Sequence, residues 1–155
     1  MGNKTRRPIL EGKKALVVGI ANEYSIAYGC ARAFREAGAE VAITYLNDKA
    51  KPHVEPLAKA VESPLFLPLD VSKPGDIEAL FKRIRKEWGQ LDIFVHSIAS
   101  AKKEDIKGGL IDCSAEGFAM AMDISVHSFI RMAKLAAPLA SPHPNESFRF
   151  LGDPG

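Results

Sequence analysis

Short, wholly apolar runs alternate along this chain with segments whose apolar residues recur every three or four positions. Ala15-Leu16-Val17-Val18 runs without a polar break to Gly19, the pattern of a strand buried on both faces. From Ser25 the period lengthens: Ile26, Ala27, Cys30, Phe34 and Ala37 share one helical face, and Gly38 stands where a helix C′ glycine would. Val41-Ala42-Ile43-Thr44-Tyr45 is β-branched and aromatic and predicts a second strand. Val54, Leu57, Ala58 and Val61 mark a second helix, with Pro52 and Pro56 tolerated if both fall in its first turn. Leu65–Leu69 predicts a third strand, confined to an edge because Pro68 has no N–H for a ladder. Ile77, Leu80, Phe81, Ile84 and Trp88 follow helical spacing up to Gly89, and Leu91–Ser97 predicts a fourth strand. A polar loop is expected over Lys102–Gly109. One long helix is expected from about Ser114 to Ala137, apolar on most of its circumference and so in need of cover on several sides.

Strands separated by helices imply parallel βαβ units with right-handed crossovers. The fold class is therefore α/β, a doubly wound parallel sheet of the Rossmann-like kind, ending after the fourth strand. Residues 1–9 are expected to form an N-terminal arm and residues 10–139 the folded unit. Residues 140–155, with Pro142, Pro144 and Pro154, show neither period and are expected to form an irregular tail.

Composition narrows the classes. The 155 residues hold 46% hydrophobic and 26% charged side chains, as globular chains do. Net charge is +2, which argues against nucleic acid as the default partner, and no apolar run is long enough to suggest a membrane span. Cys30 and Cys113 lie far apart without a CxxC pairing, and no apolar leader precedes them. Reduced, partly buried thiols and a cytoplasmic setting are expected. The scattered histidines give no reason to expect a metal site.

The first strand enters the first helix through Gly19-Ile20-Ala21-Asn22-Glu23-Tyr24-Ser25-Ile26-Ala27-Tyr28-Gly29. A helix N-terminus offers free N–H groups and partial positive charge, suited to a pyrophosphate. Gly19 allows a sharp turn and close approach of a phosphate, and Gly29 is expected to let helix pack closely on strand. A strict GxGxxG is absent, so a plain tight βα turn competes with nucleotide binding. In Thr44-Tyr45-Leu46-Asn47-Asp48-Lys49 no basic residue stands directly at the end of the second strand, which favours NAD over NADP.

Those two segments, with Asp70-Val71, Val95-His96-Ser97-Ile98-Ala99 and Asp123-Ile124-Ser125, resemble the bacterial NADH-dependent enoyl-acyl-carrier-protein reductases. These are a divergent branch of the short-chain dehydrogenase/reductases, and the resemblance covers about residues 10–139. It implies NADH as cofactor and reduction of the trans-2 double bond of an enoyl thioester on acyl carrier protein, in fatty-acid biosynthesis. It places Gly19, Ser25 and Ile26 along the pyrophosphate and Leu46, where many members carry Gln, beside the adenosine ribose. Asp70 would bond the adenine amino group and the Val71 N–H would hold the ring. Ser97, Ile98 and Ala99 would pass under the cofactor, and Ala101 would touch substrate. Without the resemblance, Asp70 reads as a helix-entry polar residue and His96 as a satisfied core histidine.

The family's chemistry uses a Tyr and a Lys six residues beyond it, after a fifth strand. The three tyrosines here are Tyr24, Tyr28 and Tyr45, so no catalytic residue is assigned. Ser125 and Ser128 are conceivable substitutes, but neither has a Lys at the family spacing. The family pattern stops at Ala137-Pro138-Leu139. A frameshifted or mis-joined end, making the chain an N-terminal part of a reductase, is expected ahead of the alternative, a naturally short form. The family's homotetramer is in doubt for the same reason. An open fourth strand and an uncovered apolar helix lead to an expectation of self-association. Three readings follow: an enoyl reductase by descent, another short-chain reductase, and a non-catalytic nucleotide-binding or assembly module. The Ser25-Ile26-Ala27 turn argues against the second; for the activity of these residues alone the third is favoured.

Overall fold

The computed structural model describes residues 8–140; the N-terminal arm up to residue 7 and the tail from residue 141 lie outside the described residues. Four parallel strands, β1 (Lys14–Val18), β2 (Glu40–Tyr45), β3 (Phe66–Pro68) and β4 (Ile93–His96), form one sheet in the order β3-β2-β1-β4. The chain moves outward from β1 to β3, then crosses back to the far side of β1. The sheet therefore has its topological switch point between β1 and β4.

Side-chain alternation assigns each face its helices. Ala15 and Val17 of β1 join Val41 and Ile43 of β2 beneath α1 (Ile26–Glu36) and α2 (Lys51–Ala60). Leu16, Val18 and Ala42 face the opposite layer, with Ile77, Leu80, Phe81 and Ile84 of α3 (Asp76–Trp88). Leu16, Ile43, Ile77 and Ile84 are fully buried, and each contributes about 1.5–3 kcal/mol of transfer free energy. Asp92 fastens the lower ends of β1 and β4, accepting from the Lys14 N–H at 2.9 Å and the Lys13 ammonium at 3.1 Å.

Pro68 lies in an edge strand, as its missing donor requires, paired opposite Tyr45. Pro56 departs from expectation. It is inside α2, beyond the first turn, so one helical hydrogen bond to the carbonyl of Pro52 is forgone. The expected polar loop after β4 contains a short helix, α4 (Lys103–Lys107), with Glu104 and Asp105 in its first turn. Asp105 accepts from the Ser114 N–H at 2.9 Å and so ties α4 to the start of the next helix.

The expected single long helix is divided. It comprises α5 (Ala115–Met122), a π-helical turn (Asp123–His127) and α6 (Ser128–Ala136), then a short 3-10 turn (Ala137–Leu139). Apolar periodicity cannot reveal such a turn, because π winding widens the spacing by about one residue without altering which residues are apolar. Met132, Ala136 and Leu139 pack into the core beside α3, and the Leu91 N–H donates to the Leu139 carbonyl at 2.8 Å. The outer stripe is uncovered among the described residues: Phe118 is 61% exposed and Ile130 58%, with Met122 and Val126 between them. Cys30 and Cys113 carry free, half-buried thiols, as expected.

Candidate functional site

Every candidate residue falls at or beyond the C-terminal end of a parallel strand. Gly19, Ser25 and Ile26 follow β1, Leu46 follows β2, Asp70 and Val71 follow β3, and Ser97, Ile98, Ala99 and Ala101 follow β4. This is the edge at which open α/β sheets bind ligands, and β1 and β4 flank its switch point.

Gly19 has φ +100°, and a Cβ there would stand 2.0 Å from the Ser97 carbonyl oxygen. Only glycine fits, for conformation and for space. The backbone that approaches it is that of Ser97, which continues the ladder by donating to the Val18 carbonyl at 3.0 Å. Gly29 does not play its expected role. It is exposed, a Cβ there would touch nothing within 4 Å, and Ala27 and Ala31 make the helix–sheet contact instead.

Ser25 is the N-cap of α1 by conformation, but its hydroxyl does not bond the first turn. Its Oγ accepts from the N–H groups of Ala21 at 3.0 Å and Asn22 at 3.1 Å. Asn22 in turn accepts from the Tyr24 N–H at 2.9 Å. The loop is thus pinned by its own polar side chains. In the first turn of α1, Tyr28 donates to the Ser25 carbonyl at 3.0 Å, while the N–H groups of Ile26 and Ala27 have neither a helical carbonyl nor a serine cap. Ile26, which opens the helix, is 79% exposed.

Leu46 is exposed, and the next residue, Asn47, accepts from the Ala50 N–H to start α2. Lys51 reaches back so that its ammonium stands 5.5 Å from the centre of the Tyr45 ring. Inspection of the strand end alone missed this cation, because it arrives from the first turn of the following helix.

At the end of β3, Asp70 Oδ1 accepts from both the N–H and hydroxyl of Ser72, at 3.0 and 2.6 Å. Its other oxygen stands 3.9 Å from the Lys73 ammonium. Asp70 thus closes a local turn onto Ser72, six residues before α3 begins at Asp76, with Oδ2 left as the less engaged acceptor. Val71 is buried, and its carbonyl accepts from Arg131 Nη2 at 2.9 Å.

At the end of β4, His96 is half-buried between Phe94 and Phe129, and its Nε2 meets Ser128 Oγ at 2.7 Å. Burial pulls its pKa below the ordinary histidine value, partly countered by a hydrogen bond from the ring to its own backbone. Ser125 Oγ accepts from the Ser100 N–H at 3.1 Å. Ser128 spends its hydroxyl hydrogen on the Ile124 carbonyl at 2.7 Å, and the acceptor for the Ser125 hydroxyl among the described residues is the Ser100 carbonyl at 3.4 Å. Tyr45 packs against Phe66 and Tyr24 stands in solvent, so neither resembles a held acid. A cavity of about 480 Å³ lined by Glu55, Lys59, Glu62 and Phe66 lies toward the start of β3, away from these strand ends.

A parallel sheet with β3-β2-β1-β4 order, a glycine-turned β1–α1 loop and a helix N-terminus without a side-chain cap at the switch point defines a Rossmann-like α/β unit. The profile of the enoyl-(acyl carrier protein) reductase family matches residues 19–147, and the chain belongs to that family. It is 51% identical to the NADH enoyl-[acyl-carrier-protein] reductase FabI of Aquifex aeolicus over 131 residues, covering 84% of this chain and 48% of that protein. The corresponding FabI of Haemophilus influenzae is 44% identical over 135 residues, covering 86% of this chain and 52% of that protein. The crystal structure of the Aquifex aeolicus reductase superimposes with a TM-score of 0.83 at 50% identity, covering 87% of this chain and 54% of that one. The Anaplasma phagocytophilum reductase, solved in complex with NAD, gives a TM-score of 0.81 at 42% identity, covering 84% and 50% of the two chains. The chain thus spans about half the length of the curated relatives it matches. Among the described residues, no helix is long and apolar enough to cross a membrane.

Proposed function

We propose that this chain supplies the dinucleotide-binding part of an NADH-dependent reduction of the trans-2 double bond of enoyl thioesters on acyl carrier protein. The observation that carries the reading is the convergence of all candidate residues on the C-terminal strand edge, with the Gly19–Ser97 contact at the switch point. The donor set fits a dinucleotide. Gly19, Ser25 and Ile26 would flank the pyrophosphate, with first-turn N–H groups of α1 as donors. Leu46 would lie beside the adenosine ribose, Asp70 Oδ2 would accept from the adenine amino group, and Val71 would hold the ring. Ser97, Ile98 and Ala99 would lie beneath the cofactor, with Ala101 toward substrate.

Bound there, the cofactor supplies a hydride. These residues bind and orient it, and no residue of this sequence fills the role of the family's Tyr–Lys pair. A positioned donor at a developing oxyanion is worth about 10²–10³ in rate, and loss of substrate positioning costs more. For the 155 residues alone the reading is therefore binding without turnover. A homotetramer, as the resemblance implies, would use surfaces including the exposed α5–α6 stripe.

The test combines backbone amide spectra during NADH titration with NADH oxidation by a crotonyl thioester. Shifts at Gly19, Ile26, Val71 and Ile98 without oxidation are expected. Unmoved amides at those positions would overturn the site, and turnover would overturn the non-catalytic reading.

A further inference from the structure

The π-helical turn between α5 and α6 carries two hydroxyls to the segment that follows β4. Ser125 Oγ accepts from the Ser100 N–H at 3.1 Å and lies 3.4 Å from the Ser100 carbonyl. Ser128 Oγ donates to the Ile124 carbonyl at 2.7 Å and lies 2.7 Å from His96 Nε2. The two anchored residues, His96 and Ser100, bracket Ser97-Ile98-Ala99. On its other side, Ser97 is pressed against Gly19.

We propose that Ser125, and Ser128 acting through His96, are positioning residues: a two-point clamp that holds Ser97-Ile98-Ala99 in place for the dinucleotide. The inference rests on the binding reading above. Helical serines commonly bond the carbonyl four residues back, and Ser128 does so. That bond spends its one hydrogen, so His96 must present Nε2–H as the donor. Ser125 has no such intrahelical explanation, because both its contacts are with the backbone of Ser100 across the gap. π turns recur at functional sites for the same physical reason: the widened winding re-aims side chains without ending the helix.

The clamp touches only the last residue of β4 and the segment after it, whereas Asp70 and Val71 follow β3 beyond β2. Its loss should therefore separate ligands. NADH spans both regions, and AMP reaches only the second. Ser125→Ala and Ser128→Ala are each expected to weaken NADH binding by about 3–10-fold and leave AMP unchanged. Amide exchange at Ile98 and Ala99 is expected to rise about tenfold. Ser125→Thr, which keeps the hydroxyl, should restore both, and Ser63→Ala, remote from the clamp, should alter neither. Nitrogen shifts of the His96 ring should report protonated Nε2 in the parent chain and change in Ser128→Ala. Equal losses for NADH and AMP, or unchanged exchange, would overturn the clamp. If Ser128→Ala does not fold, Ser125→Ala and Ser125→Thr decide. If the parent chain binds no NADH, the binding reading fails, and exchange with the His96 tautomer still decides the clamp.

Discussion

β1 and β4 lie side by side, pair in register from Ala15↔Ile93 to Val18↔His96, and read alike as sequence, yet their surroundings differ. From Ala15 to Val18 every residue of β1 is fully buried, with helices on both faces and a strand on each side. All four residues of β4 are only half-buried, and β4 forms an edge of the described sheet. An apolar run specifies a strand, but its burial is set by what lies beyond it. The polar devices differ too. The β1–α1 turn is fixed by its own Ser25 and Asn22, whereas the segment after β4 is fixed by hydroxyls borrowed from a helix far along the chain.

The sharpest way to break the contrast is Gly19→Val, which forces a side chain into the Ser97 carbonyl at a positive φ. A loss of more than about 4 kcal/mol is expected, read as a collapsed urea midpoint. Next come two truncations on neighbouring strands. Leu16→Ala should cost about 3 kcal/mol. Phe94→Ala removes more atoms and ring contacts with Phe81, His96 and Phe129, but should cost about half as much, because its site is already partly open to solvent. Equal or reversed losses in urea unfolding would show that β4 is as enclosed as β1.

Ser25→Asp separates stability from binding. A carboxylate at the N-cap suits the helix dipole, so the thermal midpoint should hold or rise. Dinucleotide affinity should fall about tenfold, because the negative charge opposes the phosphates. Protonation gives a smaller effect. The folded-state pKa of His96 lies below its unfolded value, so the unfolded chain binds more protons between the two. Stability should be complete above the unfolded value of about 6.5 and decline as pH falls toward the folded one. Thermal melts should show that decline reduced in His96→Gln. Smallest in its effect on monomer stability is the outer stripe: Phe118→Glu with Ile130→Glu should change unfolding by under about 0.5 kcal/mol. The same pair should reduce self-association in sedimentation if that stripe is where copies meet.

Legibility in the sequence followed the range of the interactions. β1, α1, β2 and α3 were readable because their patterns and their end signals, such as Gly38 and Gly89, are local. The edge position of β3 was readable from Pro68 alone. The short α4 and the π turn were not, since their contacts lie outside the local pattern: Asp105 with Ser114, and Ser125 with Ser100. The interior placement of Pro56 was not either, because it turned on where α2 begins. At the site, Gly19 was legible as a necessary glycine, but the reason, the Ser97 backbone, was not. Lys51 over Tyr45 escaped because it reaches across a turn. Gly29 misled because a glycine at helical spacing looks like a packing device even where the space beside it is open.

In the proposed site the adenosine end would lie over β1, β2 and β3, whereas β4 is an edge of the described sheet with no strand beyond it among the described residues. Calorimetric titration of the 155-residue chain with NADH and with ADP-ribose tests that asymmetry directly. Weak binding of both, with affinities within a few-fold of each other, is expected. Submicromolar NADH binding with strong preference over ADP-ribose would contradict it, as would the absence of any binding by either ligand.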